Sequence, residues 1–205
     1  MTPKLTAEQL LQDELLPNEQ ILWQGQPDPS VWFTSSDYFL VPLTIFWSFG
    51  AIGIPGFALS KNFLFLDHPE GWPISGFMLI PMLLFPLIGI YLTIGRFFLK
   101  ANRKKHTYYA VTNKRVIAIV TKSSGKKNIT QNFINTIPAI NKVSGFKKTH
   151  SIFIGILPAF SGVYLNTGLD SFAMAGIQGS VIFFDLQDAE PVYQLINRLR
   201  AEAHS

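Results

Sequence analysis

The sequence predicts a membrane protein in which a two-helix transmembrane hairpin carries a small domain of short strands closed by one helix. Three observations predict it. The 205-residue chain is 48% hydrophobic and only 15% charged, with a mean hydropathy of +0.24, whereas soluble domains carry about 25% charged residues. Two runs, Tyr38 to Ser60 and Gly71 to Gly95, hold no charge over 23 and 25 residues. A hydrocarbon core of about 30 Å takes roughly 20 helical residues, so each run is long enough to span it. After residue 100 the pattern changes to short runs of Val, Ile, Tyr and Thr, followed by a single amphipathic stretch.

Residues 1–37 are expected to form a cytoplasmic segment. Thr6-Ala7-Glu8-Gln9 has the form of a capping box, opening a short amphipathic helix through Leu10, Leu11, Leu15 and Leu16 that Pro17 stops. The first 20 residues are acidic and lack a basic stretch followed by an apolar one, so no cleavable signal is expected.

Residues 38–100 form the expected hairpin, with spans at about 38–60 and 73–98. Pro42, Pro55, Pro81 and Pro86 would break soluble helices but are tolerated in membrane helices. Trp32, Tyr38 and Trp72 stand where interfacial anchors belong. The short connection Lys61 to Glu70 puts both chain ends on one side. Arg96, Lys100, Arg103, Lys104 and Lys105 cluster where the second span ends, so the positive-inside rule makes that side cytoplasmic. The expected location is the inner membrane, multi-pass, with the N-terminus and the C-terminal domain in the cytoplasm.

Residues 101–205 form that domain. Residues 106–121 read as two strands joined by a tight turn near Asn113-Lys114, since Asn tolerates positive φ. A second turn over Ser123 to Lys127 leads into a strand-like stretch, Asn128 to Ile137. Ile152, Ile154 and Ile156 alternate, and Val181 to Phe184 is a further strand. Asp188, Glu190 and Pro191 open the last helix, whose apolar face is Val192, Leu195, Ile196 and Leu199.

The stretch from Leu16 to Pro27, LPNEQILWQGQP, resembles the "L-P-x-E-x-I-L-W-x-G-x-P" opening of bacterial membrane proteins that carry a pleckstrin-homology-like (PH-like) domain. Tyr109, Val111, Thr112, Asn113 and Arg115 match that family's Y-x-V-T-N/D-x-R strand pair, and residues 181–196 look like its last strand and closing helix. The resemblance covers most of the chain. It implies an α+β PH-like fold, two near-orthogonal antiparallel sheets forming a small barrel capped by a helix, with no known catalysis and, for most members, no established ligand. Residues 158–180 depart from the pattern, being longer and more apolar than expected between the last two strands.

Two candidate sites follow. Arg103, Lys104, Lys105, Lys114, Arg115, Lys122, Lys126 and Lys127 lie at the membrane exit or in early turns, where a basic residue near an anionic leaflet gains up to about 1 kcal/mol. They read either as a headgroup-binding patch or, the favoured reading, as topology signals and solvated turn residues. Arg115, which the family pattern also places there, reads either as pairing with a backbone carbonyl or carboxylate within the barrel, the favoured reading, or as a fork offered to a phosphate. The apolar segment with Phe160, Tyr164, Leu165, Phe172 and Met174 reads either as a contact for a partner, a second copy or the bilayer, or as an extra strand at Val163-Tyr164-Leu165 with the rest packed on the barrel.

The remaining classes find little support. The chain has no Cys, and its four His residues have no metal-ligand spacing. Asp67, His68 and Glu70 lack the further ligands a metal site needs. No nucleophile elbow or phosphate-binding loop is present, and the two charge-free runs argue against transport. No cofactor, metal or catalytic residue is expected. The net charge of +4 divides into −5 over residues 1–37, +1 over 38–100 and +8 over 101–205, so the pI of about 9.3 points to the inner leaflet and away from nucleic acid. The expected function is non-enzymatic binding of anionic lipid or a membrane protein partner at the cytoplasmic face. The alternative is a homo-oligomeric scaffold assembled through the domains and hairpins.

Overall fold

The computed structural model describes residues 11–60, 76–122, 124–159, 161–169 and 179–204. The capping box at residues 6–9, the Asp67, His68 and Glu70 loop, Trp72, Phe160, Phe172 and Met174 lie outside the described residues. In chain order the elements are β1 (Ile21–Gly25), α1 (Asp37–Ser60), α2 (Gly76–Ile90), a π-helical turn (Tyr91–Gly95), α3 (Arg96–Lys105), β2 (Thr107–Thr112), β3 (Arg115–Thr121), β4 (Lys127–Phe133), a 3₁₀ turn (Ile134–Thr136), β5 (Ile140–Ser144), β6 (His150–Ile154), α4 (Ser161–Tyr164), β7 (Val181–Leu186) and α5 (Glu190–His204). They form two units. One contains residues up to Thr34 together with Leu99 onward, and the other runs from Ser35 to Phe98.

The first unit is α+β. An antiparallel four-stranded sheet in the order β1-β2-β3-β4 and an antiparallel three-stranded sheet in the order β5-β6-β7 are followed by the C-terminal helix α5. Alternation along β2 and β3 explains the inner layer. Tyr109, Val111, Val116 and Ala118 face Ile152, Ile154, Val181 and Phe183 of the second sheet, and Val192 and Ile196 of α5 close the cluster. Phe183 lies at its centre, with the Tyr109 ring stacked 4.5 Å away and the Trp23 ring 5.8 Å away. Full burial of each such side chain is worth about 1.5–3 kcal/mol.

The opposite face of β2 and β3 is also apolar. Ala110, Ile117 and Ile119 are covered by Leu11, with Ile21 packed beside them. The amino-terminal segment, which the sequence set apart, thus gives this unit both an edge strand and a cover for its outer sheet face.

There are two local departures from regular pairing and from the expected strands. The β6–β7 register shifts between His150 and Ile152, opposite Asp185, whose φ is +48°; an acidic side chain that can bond locally tolerates this conformation better than most. In Val163-Tyr164-Leu165, one expected extra strand, Val163 and Tyr164 are helical instead and Leu165 opens the turn that follows. Ser161–Tyr164 is a helical turn in which the Leu165 amide bonds to the Ser161 carbonyl.

The second unit is helical. Residues of α1 meet the α2–π-turn–α3 run in antiparallel order: Asp37 with Arg96, Ser48 with Thr93, and Trp47 with Phe85. The polar groups point inward. Ser48 Oγ and Thr93 Oγ1 are 2.9 Å apart, Thr93 also donates to the Gly89 carbonyl, and the Asp37–Arg96 ion pair is 1% and 0% exposed. A Cβ at Gly89 would lie 3.0 Å from Ser48 Oγ, so glycine permits this approach. Large apolar side chains, among them Phe46, Phe49, Leu87 and Ile94, are exposed instead. Among the described residues one helical stretch, Leu84–Lys105, is long and apolar enough to cross a membrane, and the apolar stretch Asp37–Gly53 is shorter.

Candidate functional site

The eight basic residues singled out from the sequence divide by what they touch. Arg115 is buried, and its fork clasps the Glu19 carboxylate, Nε to Oε1 at 2.9 Å and Nη2 to Oε2 at 3.0 Å. It also donates to Gln131 Oε1 and to the Glu14 carbonyl. Lys114 donates to the Pro17 carbonyl at 2.6 Å, and Lys127 pairs with Glu14 at 3.3 Å. These three cations fasten residues 14–19 onto the sheet. Two acids of the amino-terminal segment, Glu14 and Glu19, are thus paired with cations of the C-terminal part.

The same contacts explain the two sequence motifs. The Thr112 hydroxyl donates to Glu19 Oε1 at 2.7 Å and accepts the Arg115 amide at 2.9 Å, while Asn113 Oδ1 accepts the Gln20 amide. Asn18, at φ +58°, turns the chain before β1. Trp23 and Tyr109 enter the core, and the Tyr109 hydroxyl accepts the Phe184 amide. The LPNEQILW and YAVTNKR stretches thus meet in one hydrogen-bonded assembly around the buried Glu19, Thr112 and Arg115. Burial pushes the Glu19 carboxyl up, but hydrogen bonds from the Arg115 guanidinium, the Leu16 amide and the Thr112 hydroxyl, with the charge of Arg115, outweigh it and hold the group below its ordinary value.

Lys104 is buried as well. Its ammonium contacts the Asp185 carboxylate and the Val31 carbonyl, and Asp185 also accepts from Asn166 Nδ2 at 2.6 Å. The Asp185 main chain accepts the Asp28 amide and donates to Ser151 Oγ. Bulging β7 at Asp185 therefore joins α3, the residue 28–31 loop, β6 and the turn after α4. Burial and pairing remove Lys104 and Arg115 from any surface patch.

Lys105, Lys122 and Lys126 are exposed, and Arg103 is half-buried. The ladder brings them to one end of the first sheet. Thr121 donates to the His106 carbonyl, Lys122 donates to the Lys126 carbonyl, and Gly125 takes the turn at φ +78°. Arg103 also lines a cavity of about 90 Å³ with Thr107, Tyr109, Thr130 and Phe184. That is far below the roughly 300–1,000 Å³ of small-molecule sites. Among the described residues no group of three or more His, Asp or Glu side chains is arranged to hold a metal ion.

In the other candidate segment, Leu165 is buried at 5% exposure, Tyr164 is half-buried and Val163 is 44% exposed. Leu165 is a packing residue. The sequence reading missed Glu19 and Asp185 as buried hubs; for Glu19 the signal was its fixed place in the first motif. Comparisons of the chain with protein-family models, curated proteins and solved structures found no match.

Proposed function

We propose that the chain is a non-enzymatic, membrane-anchored protein whose helices cross the inner membrane as a hairpin and whose α+β unit is a cytoplasmic PH-like domain. That domain recognises anionic lipid or a membrane protein partner at the membrane face. The observation that carries the anchoring is the inverted polarity of the helical unit: hydroxyls and an ion pair inside, large apolar side chains outside. Soluble monomers rarely expose contiguous apolar patches beyond a few hundred Å², whereas lipid-facing helices bury their polar groups against each other. The four- plus three-stranded sheets, the closing helix and the meeting of the two family-like motifs support the PH-like reading. Lys105, Lys122 and Lys126 form the basic end offered to headgroups, adding up to about 1 kcal/mol each near an anionic surface.

The chain has no cysteine, so Ser124→Cys gives one labelling site in the β3–β4 turn. An environment-sensitive fluorophore there should shift to the blue in nanodiscs containing phosphatidylglycerol relative to phosphatidylcholine alone. Changing Lys105, Lys122 and Lys126 together to Ser should remove the shift. Equal spectra in both lipids would sink the headgroup reading of this turn.

A second reading, a homo-oligomeric scaffold, is favoured by one observation: Ile129, Phe133 and Ile156 are exposed on the α+β unit, Ile156 at 73%. Mass measurement in mild detergent tests it, and a monodisperse monomer would count against it.

A further inference from the structure

We infer that the tip of the β5–β6 hairpin, with the loop across from it, is an interfacial docking site for anionic phospholipid; this rests on the membrane-anchored reading above. The sequence reading placed no basic site here. The first observation is conformational. Phe146, Lys147, Lys148 and Thr149 form a two-residue reversal in which the Thr149 amide and hydroxyl donate to the Phe146 carbonyl at 3.0 and 2.6 Å. Lys147 and Lys148 have φ of +52° and +59°, so both central positions are left-handed, as in a type I′ turn. Asn-Gly is the pair that fits such a turn without strain. Two lysines are strained there, and the hairpin holds them at its exposed tip.

The second observation is what lies beside the tip. Trp32 and Phe33 are 43% and 50% exposed, and with Phe146 and Lys147 they line an open groove of about 380 Å³. Lys147 donates to the Ser30 carbonyl at 3.0 Å, tying the tip to the loop. Asp28, the acid of that loop, is taken up by Gln187 Nε2 and the Ser30 amide. Aromatic rings with cationic side chains alongside are the composition that settles at a headgroup boundary, the rings at carbonyl depth and the ammonium groups on phosphate.

The third observation is chain connectivity. This unit's amino-terminal part ends at Thr34, three residues before α1 begins, and the chain re-enters the unit at Leu99. Lys100, just after re-entry, donates to the Trp32 carbonyl at 2.8 Å, and Lys104 donates to the Val31 carbonyl. Both passages of the chain into the apolar helices thus meet at the loop that carries Trp32 and Phe33. The occupant that fits is the anionic lipid surrounding those helices, with its phosphate on Lys147 and Lys148.

The test uses the full chain in nanodiscs, with Ser144→Cys carrying an environment-sensitive fluorophore beside the tip. Phosphatidylglycerol should shift its emission to the blue relative to phosphatidylcholine alone. The variant Lys147→Asn with Lys148→Gly relieves the turn strain and preserves the hairpin. It should lose the lipid-dependent shift while its melting temperature rises. A retained shift in that variant, or the same emission in both lipids, would overturn the site. An emission that follows protein concentration and ignores lipid charge would also overturn it and assign the surface to a second copy. A parallel flotation of the full chain with liposomes after alkaline extraction separates the two levels. Failure to float overturns the membrane reading and the site with it, whereas flotation with an unresponsive probe overturns the site alone.

Discussion

Replacing Arg115 with Met removes a buried guanidinium and leaves the Glu19 carboxylate, 7% exposed, without its countercharge. Breaking a buried pair from one side costs about 3–5 kcal/mol. The lower end applies here, because the Leu16 amide and Thr112 hydroxyl still donate to Glu19. At roughly 3 °C per kcal/mol for a unit of this size, the melting temperature should fall by about 10 °C. The assay is thermal unfolding in detergent, followed by near-ultraviolet circular dichroism, because Trp23 and Tyr109 sit in the core that would loosen. Glu19→Gln alone should also destabilise, by leaving the buried arginine uncompensated. The double variant should lose less than the sum of the two single changes, with a coupling of about 1–3 kcal/mol. Additivity within about 0.5 kcal/mol would refute the claim that this pair fastens the amino-terminal segment to the sheet.

Other consequences concern pH and packing. The folded Glu19 carboxyl titrates below its ordinary value of 4.5, so the unfolded chain binds that proton at the higher pH. Its stabilisation is fully present above the unfolded value and is lost as pH falls through the folded one. Melting curves taken into that acid range should therefore decline, and Glu19→Gln should flatten the decline. Gly25→Ala would place a Cβ 2.5 Å from the Trp23 ring. Displacing that ring from its stack on Phe183 should cost about 1–3 kcal/mol, read as a lower melting temperature with altered tryptophan emission.

The parts of the fold that carry a local signal were readable from the chain. Residues 106–121 are rich in Tyr, Val, Ile and Thr and turn at an Asn, and they hold β2 and β3. The closing helix carries its start signals and one apolar face, and Val192 and Ile196 are buried. By contrast, β5 reads Ile-Asn-Lys-Val-Ser and is mostly exposed; its partner β6 dictates its structure. β1 was recognised as part of a motif but not as a strand, because five residues carry little periodicity and their pairing with β2 spans more than 80 positions. Burial of Lys104 and Arg115 depends on acids far along the chain, Asp185 and Glu19, and charge counts cannot distinguish such cations from Lys122 and Lys126. The paired lysines at 147 and 148 were passed over because only the backbone conformation sets them apart.

Anchoring requires the helical unit to lie in lipid, and one measurement addresses that directly. Leu87→Cys, at a position 62% exposed among apolar neighbours, can carry a spin label on the reconstituted full chain, where paramagnetic relaxation by oxygen and by a water-soluble nickel chelate is compared. Oxygen partitions into hydrocarbon and the chelate stays in water. Strong relaxation by oxygen and little by the chelate is the expected result. A label relaxed chiefly by the nickel chelate would place this face in water and contradict the membrane-anchored reading.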